Sequence, residues 1–156
     1  MKIILLLVGK TTNKHIGACI NDYVERIGHY VPFELQVIPE LKQTKHLTET
    51  QQKQMEGEQL LRALQPTDDV VLLDERGKEL RSMEFARWIE QKQHTARRLV
   101  FIIGGPYGFS PDLYARAKEM LSLSRMTFSH QMVRLFFTEQ IYRACTIIKG
   151  EPYHHE

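Results

Sequence analysis

The chain has 156 residues, 42% of them hydrophobic and 26% charged, and carries a formal net charge of +2. That is the size and balance of one globular domain able to bury roughly two-thirds of its unfolded surface, so a single domain over residues 1–156 is expected. No apolar run approaches the roughly 20 residues that span a bilayer, and the run after Lys2 is too short for a secretory signal, so a cytoplasmic protein with no membrane partner is expected. The charge is too small to announce nucleic acid, which needs several clustered Lys or Arg side chains. Cys19 and Cys145 fall in helical patterns far apart in the chain and are expected as reduced, buried thiols.

From the N-terminus, residues 3–8 form a continuous apolar run closed by Gly9, the pattern of a strand covered on both faces and hence of a parallel sheet. Ile16, Ile20, Tyr23, Val24 and Ile27 recur at helical spacing, which predicts a crossover helix over residues 15–29. Residues 33–38 alternate as a strand between Pro32 and Pro39. Thr48, with Gln51 three positions on, makes a capping box that opens a helix ending before Pro66. Residues 70–73 form a short apolar strand with Asp74 at its carboxyl end, where open α/β sheets gather ligand-binding groups. Arg76, Gly77 and Lys78 read as a turn. Phe85, Trp88 and Ile89 mark another helix face, and residues 99–103 another strand. Strand and helix alternate without linker or repeat, which specifies a single α/β layer sandwich on a parallel sheet.

Two stretches carry chemistry. In the first, Gly104, Gly105 and Gly108 follow a buried strand and precede Ser110, Pro111 and Asp112: an N-cap, a favoured first-turn proline and an acidic second position. Such a turn exposes backbone N–H groups and lets a flat ligand approach the main chain. Its spacing is not that of the dinucleotide fingerprint, and no acidic residue stands where a ribose would need one, so a dinucleotide site is the lesser alternative. A glycine turn kept only for packing explains the loop equally well.

The second stretch is residues 121–155. Apolar and hydroxyl side chains alternate over residues 121–128, which predicts a strand, and Ser129 is an N-cap. In the helix that follows, Val133, Phe137, Ile141, Ala144 and Ile148 form one stripe. Leu135, Phe136, Tyr142 and Cys145 form a second band, too wide for one core-facing arc, so a further surface is expected to cover it. Gly150 and Pro152 stop the helix and leave Tyr153, His154 and His155 on a short tether. On sequence physics alone, Glu139 and Arg143 at i, i+4 are a helix-surface ion pair, and a terminal Tyr-His is a frayed end. A metal site built from His130, His154 and His155 lacks Cys or carboxylate partners at metal spacing, and no metal is expected.

The run HQMVRLFFTEQIYRA, the Tyr-His pair near the terminus, GGPYG at residues 104–108 and LLD at residues 72–74 resemble the RlmH family of 23S rRNA (pseudouridine-N3)-methyltransferases, along essentially the whole chain. Ser129 departs from the proline expected before His130. The resemblance implies the SPOUT architecture with a C-terminal trefoil knot, which periodicity does not reveal. It implies S-adenosylmethionine as cofactor, held by Leu73, Gly104, Leu123, Ser124, Arg125, Met126, Thr127 and Phe128. It also implies a homodimer, for which the wide apolar helix supplies a separate physical motive, and in which Arg125, Arg134 and Arg143 of two copies would approach one another. The implied substrate is a pseudouridine in a hairpin of 23S rRNA on the assembled ribosome, with Arg143, Tyr153 and His154 as the catalytic set. On that placement Arg143 is expected to face developing charge on the base, Tyr153 to stack on it, and His154 to accept the N3 proton. A side chain at Gly104 is expected to fill the cofactor's volume and leave the fold intact. Read without the resemblance, a non-catalytic RNA- or nucleotide-binding α/β module remains the alternative.

Overall fold

The computed structural model describes residues 1–156, organised on one five-stranded sheet. The strands are β1 (Lys2–Val8), β2 (Phe33–Ile38), β3 (Asp69–Glu79), β4 (Arg98–Ile103) and β5 (Glu119–Ser122). The helices are α1 (Lys14–Gly28), α2 (Glu49–Arg62), α3 (Ser82–Thr95), α4 (Pro111–Arg116) and α5 (His130–Ile148). Spatial order is β2-β1-β4-β3-β5 and every pairing is parallel, as the continuous apolar runs required.

Side chains alternate across a strand, and the sheet uses both faces. Ile3, Leu5 and Leu7 of β1 join Phe101, Phe137 and Ile141 in one core, while Ile4, Leu6 and Val8 join Leu60, Ile102 and Leu113 in the other. Helices α1, α3 and α5 cover the first face, and α2 and α4 the second. The capping box of Thr48 and Gln51 opens α2 as expected, and Ser129 caps α5 by accepting the Met132 N–H at 3.2 Å.

Helix α5 lies between α1 and α3, with Phe137 edge-on to Phe101 at a ring separation of 4.8 Å. Its second apolar band is covered largely within the chain. Tyr142 packs on Tyr23 and Tyr30 at ring separations of 5.7 and 6.1 Å, and Cys145 is buried. Phe136 is the member left at the surface, 41% exposed.

Three local expectations change. The strand over residues 121–128 stops at Ser122, because Ser122 Oγ donates to the Ser124 carbonyl at 2.9 Å and Ser124 Oγ accepts the Met126 N–H at 3.0 Å, local bonds that replace a ladder. The supposed turn at Arg76, Gly77 and Lys78 is a bulge inside β3, where pairing with β5 shifts register between Leu73 and Lys78. Gly77 lies so close to β5 that a Cβ there would sit 2.6 Å from the Leu121 carbonyl carbon. Cys19 is exposed, not buried.

Candidate cofactor and active site

At the carboxyl ends of β3, β4 and β5 lies a cavity of about 620 Å³, within the range of small-molecule and cofactor sites. Leu73, Gly104, Leu123, Ser124, Met126, Thr127 and Phe128 all line it. Arg125 does not: its side chain is turned outward to Glu79, with Nε 3.4 Å from Oε1. Gly108 makes the glycine loop possible, holding a φ of +80° that other residues rarely adopt, and its N–H donates to the Gly105 carbonyl at 3.3 Å. Gly104 has a different reason to be glycine from the one expected. A Cβ there would lie 2.9 Å from the Phe109 ring, so an added side chain strikes the protein's own packing before any ligand.

Asp74 stands at the cavity wall, not at the end of β3, which runs on to Glu79, but just past Leu72, where the pairing of β3 with β4 stops. It accepts the Arg76 N–H at 2.9 Å and the Tyr114 hydroxyl, and Arg76 lies over the Tyr114 ring at 5.1 Å. Burial alone would raise its pKa, but the hydrogen bonds from Tyr114 and Arg76 outweigh it and hold the carboxyl below the usual range. The Arg76 Nε also lies 3.3 Å from Asp74 Oδ1, so the ionised carboxylate stands in the cavity wall already paired with a cation.

The C-terminal tail is seated, not frayed. Arg143 Nη2 donates to Glu139 Oε1 at 2.6 Å, and its Nη1 lies 3.2 Å from His154 Nδ1. Tyr153 donates its hydroxyl to the same Glu139 oxygen at 3.0 Å, meets Tyr142 edge-on at 4.7 Å, and lies under the Arg143 guanidinium at 4.9 Å. Burial, then hydrogen bonds with Tyr23 and Glu139, pushes the Tyr153 phenol well above its ordinary range. The structure thus gathers Arg143, Tyr153 and His154, and adds Glu139 as the group that joins them. Spacing had shown Glu139 only as half of a surface pair, yet both partners are largely buried.

A second cavity, about 540 Å³, is lined by His154, Gln140, Phe136 and Arg81 among others. It shares Leu121, Ser122, Leu123 and Phe128 with the first. Within one chain, therefore, this shared segment lies between the first cavity and the tail.

A third, polar cleft of about 360 Å³ opens at the carboxyl end of β1. The connections leaving β1 and β4 run to opposite faces, which makes this the crevice a dinucleotide would enter in a doubly wound sheet. Here Arg134, 4% exposed, occupies its floor: Nη1 donates to the Gly9 carbonyl at 2.8 Å and Nη2 to the Val8 carbonyl at 2.7 Å. Arg134 therefore leaves the set of surface cations.

Fold and cavity define a methyltransferase of the SPOUT class: the family described as predicted SPOUT methyltransferase matches residues 1–154, and the chain belongs to it. The chain is 63% identical to Ribosomal RNA large subunit methyltransferase H of Phocaeicola vulgatus, covering 100% of both chains. It is 61% identical to the protein of that name from Bacteroides fragilis over 100% of both, and 56% identical to that of Christiangramia forsetii over 99% of both. Within the SPOUT enzymes it is therefore a member of the RlmH family. Among solved structures, the SpoU methyltransferase AviRb from Streptomyces viridochromogenes, crystallised with the cofactor AdoMet, aligns at a TM-score of 0.48 and 15% identity over 96% of this chain and 61% of its own.

Proposed function

We propose that this enzyme transfers a methyl group from S-adenosylmethionine to N3 of a pseudouridine in a 23S rRNA hairpin. The observation that carries the reading is the cavity at the carboxyl ends of β3, β4 and β5, lined by segments that the family resemblance named from sequence. Its lining fits the cofactor: apolar walls at Leu73 and Phe128 suit a flat adenine, and glycine-loop backbone groups suit its polar edge. When bound, the cofactor supplies an electrophilic methyl group on a sulfonium. Leu123, Ser124, Met126 and Thr127 complete the lining of the cavity, and Gly104 opens the loop.

N3 lies on the Watson–Crick edge, so the target base must be unpaired when it arrives. Arg143, held by Glu139, is the fixed cation for charge developing on the flanking carbonyls, and Tyr153 is the aromatic face beside it. Arginine only donates, so His154 Nδ1 accepts from it and a neutral imidazole carries its hydrogen on Nε2. His154 can take the N3 proton only after Nδ1 leaves Arg143. Transfer also requires the segment shared by the two cavities to move, or a second copy of the chain to bring its tail to the first cavity.

The same reading has the chain working as one catalytic domain over residues 1–156, with the knot of its family, as a cytoplasmic homodimer on the ribosome. No helix is long and apolar enough to cross a membrane. The test is methyl incorporation into ribosomes from labelled cofactor, followed by mapping of the modified base. Cofactor binding without incorporation would favour the non-catalytic binding module, and incorporation at another atom or base would overturn the assigned substrate.

A further inference from the structure

The cavity lining includes Gly105, and what holds Gly105 in place lies outside the cavity. On α2, Glu56 is 6% exposed, and its Oε1 accepts the Gly105 N–H at 2.9 Å. The fit is close: a Cβ on Gly105 would overlap the Glu56 carboxylate, so the carboxylate rests directly against the Gly105 Cα. Gly57, next on the helix, packs as tightly against Ser110, the N-cap of α4 that closes the far end of the loop. Two consecutive residues of α2 thus grip the glycine turn at both ends. The helix is otherwise polar and buries little besides Glu56, Gly57 and Leu60.

Glu56 forms no ion pair: its one hydrogen-bond partner is the loop. A carboxylate taken out of water with a single backbone donor is costly to bury, and core packing alone would be better served by an apolar side chain. The groups facing it come from four segments: Glu40 after β2, Lys10 after β1, His130 and Arg134 on α5, and the loop itself with Gly105 and Pro106. Gly105, Pro106 and His130 line both this polar cleft and the cofactor cavity, so the turn is the partition between them.

We propose that Glu56 is a positioning residue for the cofactor site: its carboxylate fixes the Gly105 N–H, and through it the set of the turn from Gly104 to Gly108 against which S-adenosylmethionine binds. The inference rests on the cofactor reading above. Burial raises the pKa of Glu56, the Gly105 N–H opposes that, and Glu40 adds to it. Protonation therefore comes at a higher pH than for an ordinary carboxylate and turns a charge-assisted bond into a neutral one of about half the strength. Cofactor affinity falls as pH is lowered through that raised pKa.

The experiment is calorimetric titration of the full chain with S-adenosylmethionine across a pH series, for wild type, Glu56→Gln and Glu56→Ala, with thermal melting of each without cofactor. Glu56→Gln keeps an acceptor and cannot titrate, so it should bind within roughly threefold of wild type near neutrality and lack the acid-side loss that Glu56 gives wild type. Glu56→Ala should bind about tenfold more weakly at every pH. The contribution of His130 is common to wild type and Gln, so the difference between their two curves isolates Glu56 together with its repulsion of Glu40. Parallel wild-type and Gln curves, or an Ala variant that binds as wild type does, would overturn the inference and leave the cofactor reading standing. A wild-type protein that fails to bind the cofactor at all removes that reading, and this inference with it.

Discussion

Gly104 and Arg134 show how a single residue's surroundings decide what its replacement does. A valine at Gly104 meets the Phe109 ring at 2.9 Å, so the turn must shift and overpacking should cost about 1–3 kcal/mol. Urea unfolding should show that loss in the apo protein, and undiminished apo stability would mean that the turn yields more easily than its packing implies. Arg134→Met strips the donors from the Val8 and Gly9 carbonyls and should cost about 3 kcal/mol, with the melting temperature as readout. Neither environment was legible beforehand. Arg134 sits among apolar helix positions like any surface arginine, and its acceptors are main-chain carbonyls at the other end of the chain, where no side-chain pattern marks them. Glu56 was hidden the same way, although its place on one face with Gly57 and Leu60 is the signal that a carboxylate was turned inward.

At the scale of elements, α3 is tied to the sheet by Lys92, which reaches Asp69 on β3 at 3.0 Å and Glu119 on β5 at 2.5 Å, with Trp88 Nε1 donating to Glu119 at 2.9 Å. Burial would lower the Lys92 pKa, but its bonds to Glu119 and Asp69 prevail and raise it; for Glu119, burial is outweighed by Lys92 and Trp88, and its pKa is lowered. The raised lysine contributes stability that is complete below its unfolded pKa and lost as pH rises through the folded one. The lowered glutamate contributes stability present above its unfolded pKa and lost as pH falls through the folded one. Lys92→Met should therefore cost about 3 kcal/mol between those limits and flatten both limbs of the stability profile, as urea midpoints across pH would show. Most elements were readable because a doubly covered strand leaves a continuous apolar run and a helix leaves a 3.6-residue period. The exceptions lie at the sheet's edge. Past Ser122 the alternation persists without a ladder, and at Gly77 the chain imitates a turn while its backbone presses against Leu121. The tail beyond α5 was legible as a tether but not as a docked one, since Glu139, Tyr23 and Tyr142 reach it from different turns and a different helix. Deleting residues 153–156 should leave cofactor affinity unchanged and remove most turnover. A truncated enzyme that methylates ribosomes at the full rate would reduce Tyr153 and His154 to packing.

For the whole molecule the open matter is the second copy. With most of α5's outer band covered by α1, five large apolar side chains are left at the surface: Val37 on β2 and Met55 on α2 stand apart, while Met126, 78% exposed, and Tyr107 and Phe136, 43% and 41% exposed, line the two cavities. Phe136 also packs on Phe128, part of the wall between the cavities, at a ring separation of 5.4 Å. A stable dimer needs about 800 Å² from each partner, so more than these side chains would have to be covered. A homodimer would then draw on this patch and not on a bare helix face. Light scattering at micromolar concentration should return twice the 18.3 kDa chain mass. Phe136→Glu places a charge in that patch and should give a monomer; because Phe136 packs on Phe128, a residue of the first cavity, cofactor affinity of the monomer is measured alongside turnover. If the second copy is what brings a tail to the cofactor cavity, turnover on ribosomes should collapse in that monomer. A monomer that methylates at the wild-type rate would show instead that the shared segment moves within one chain, and a wild-type protein of single mass would remove the homodimer outright.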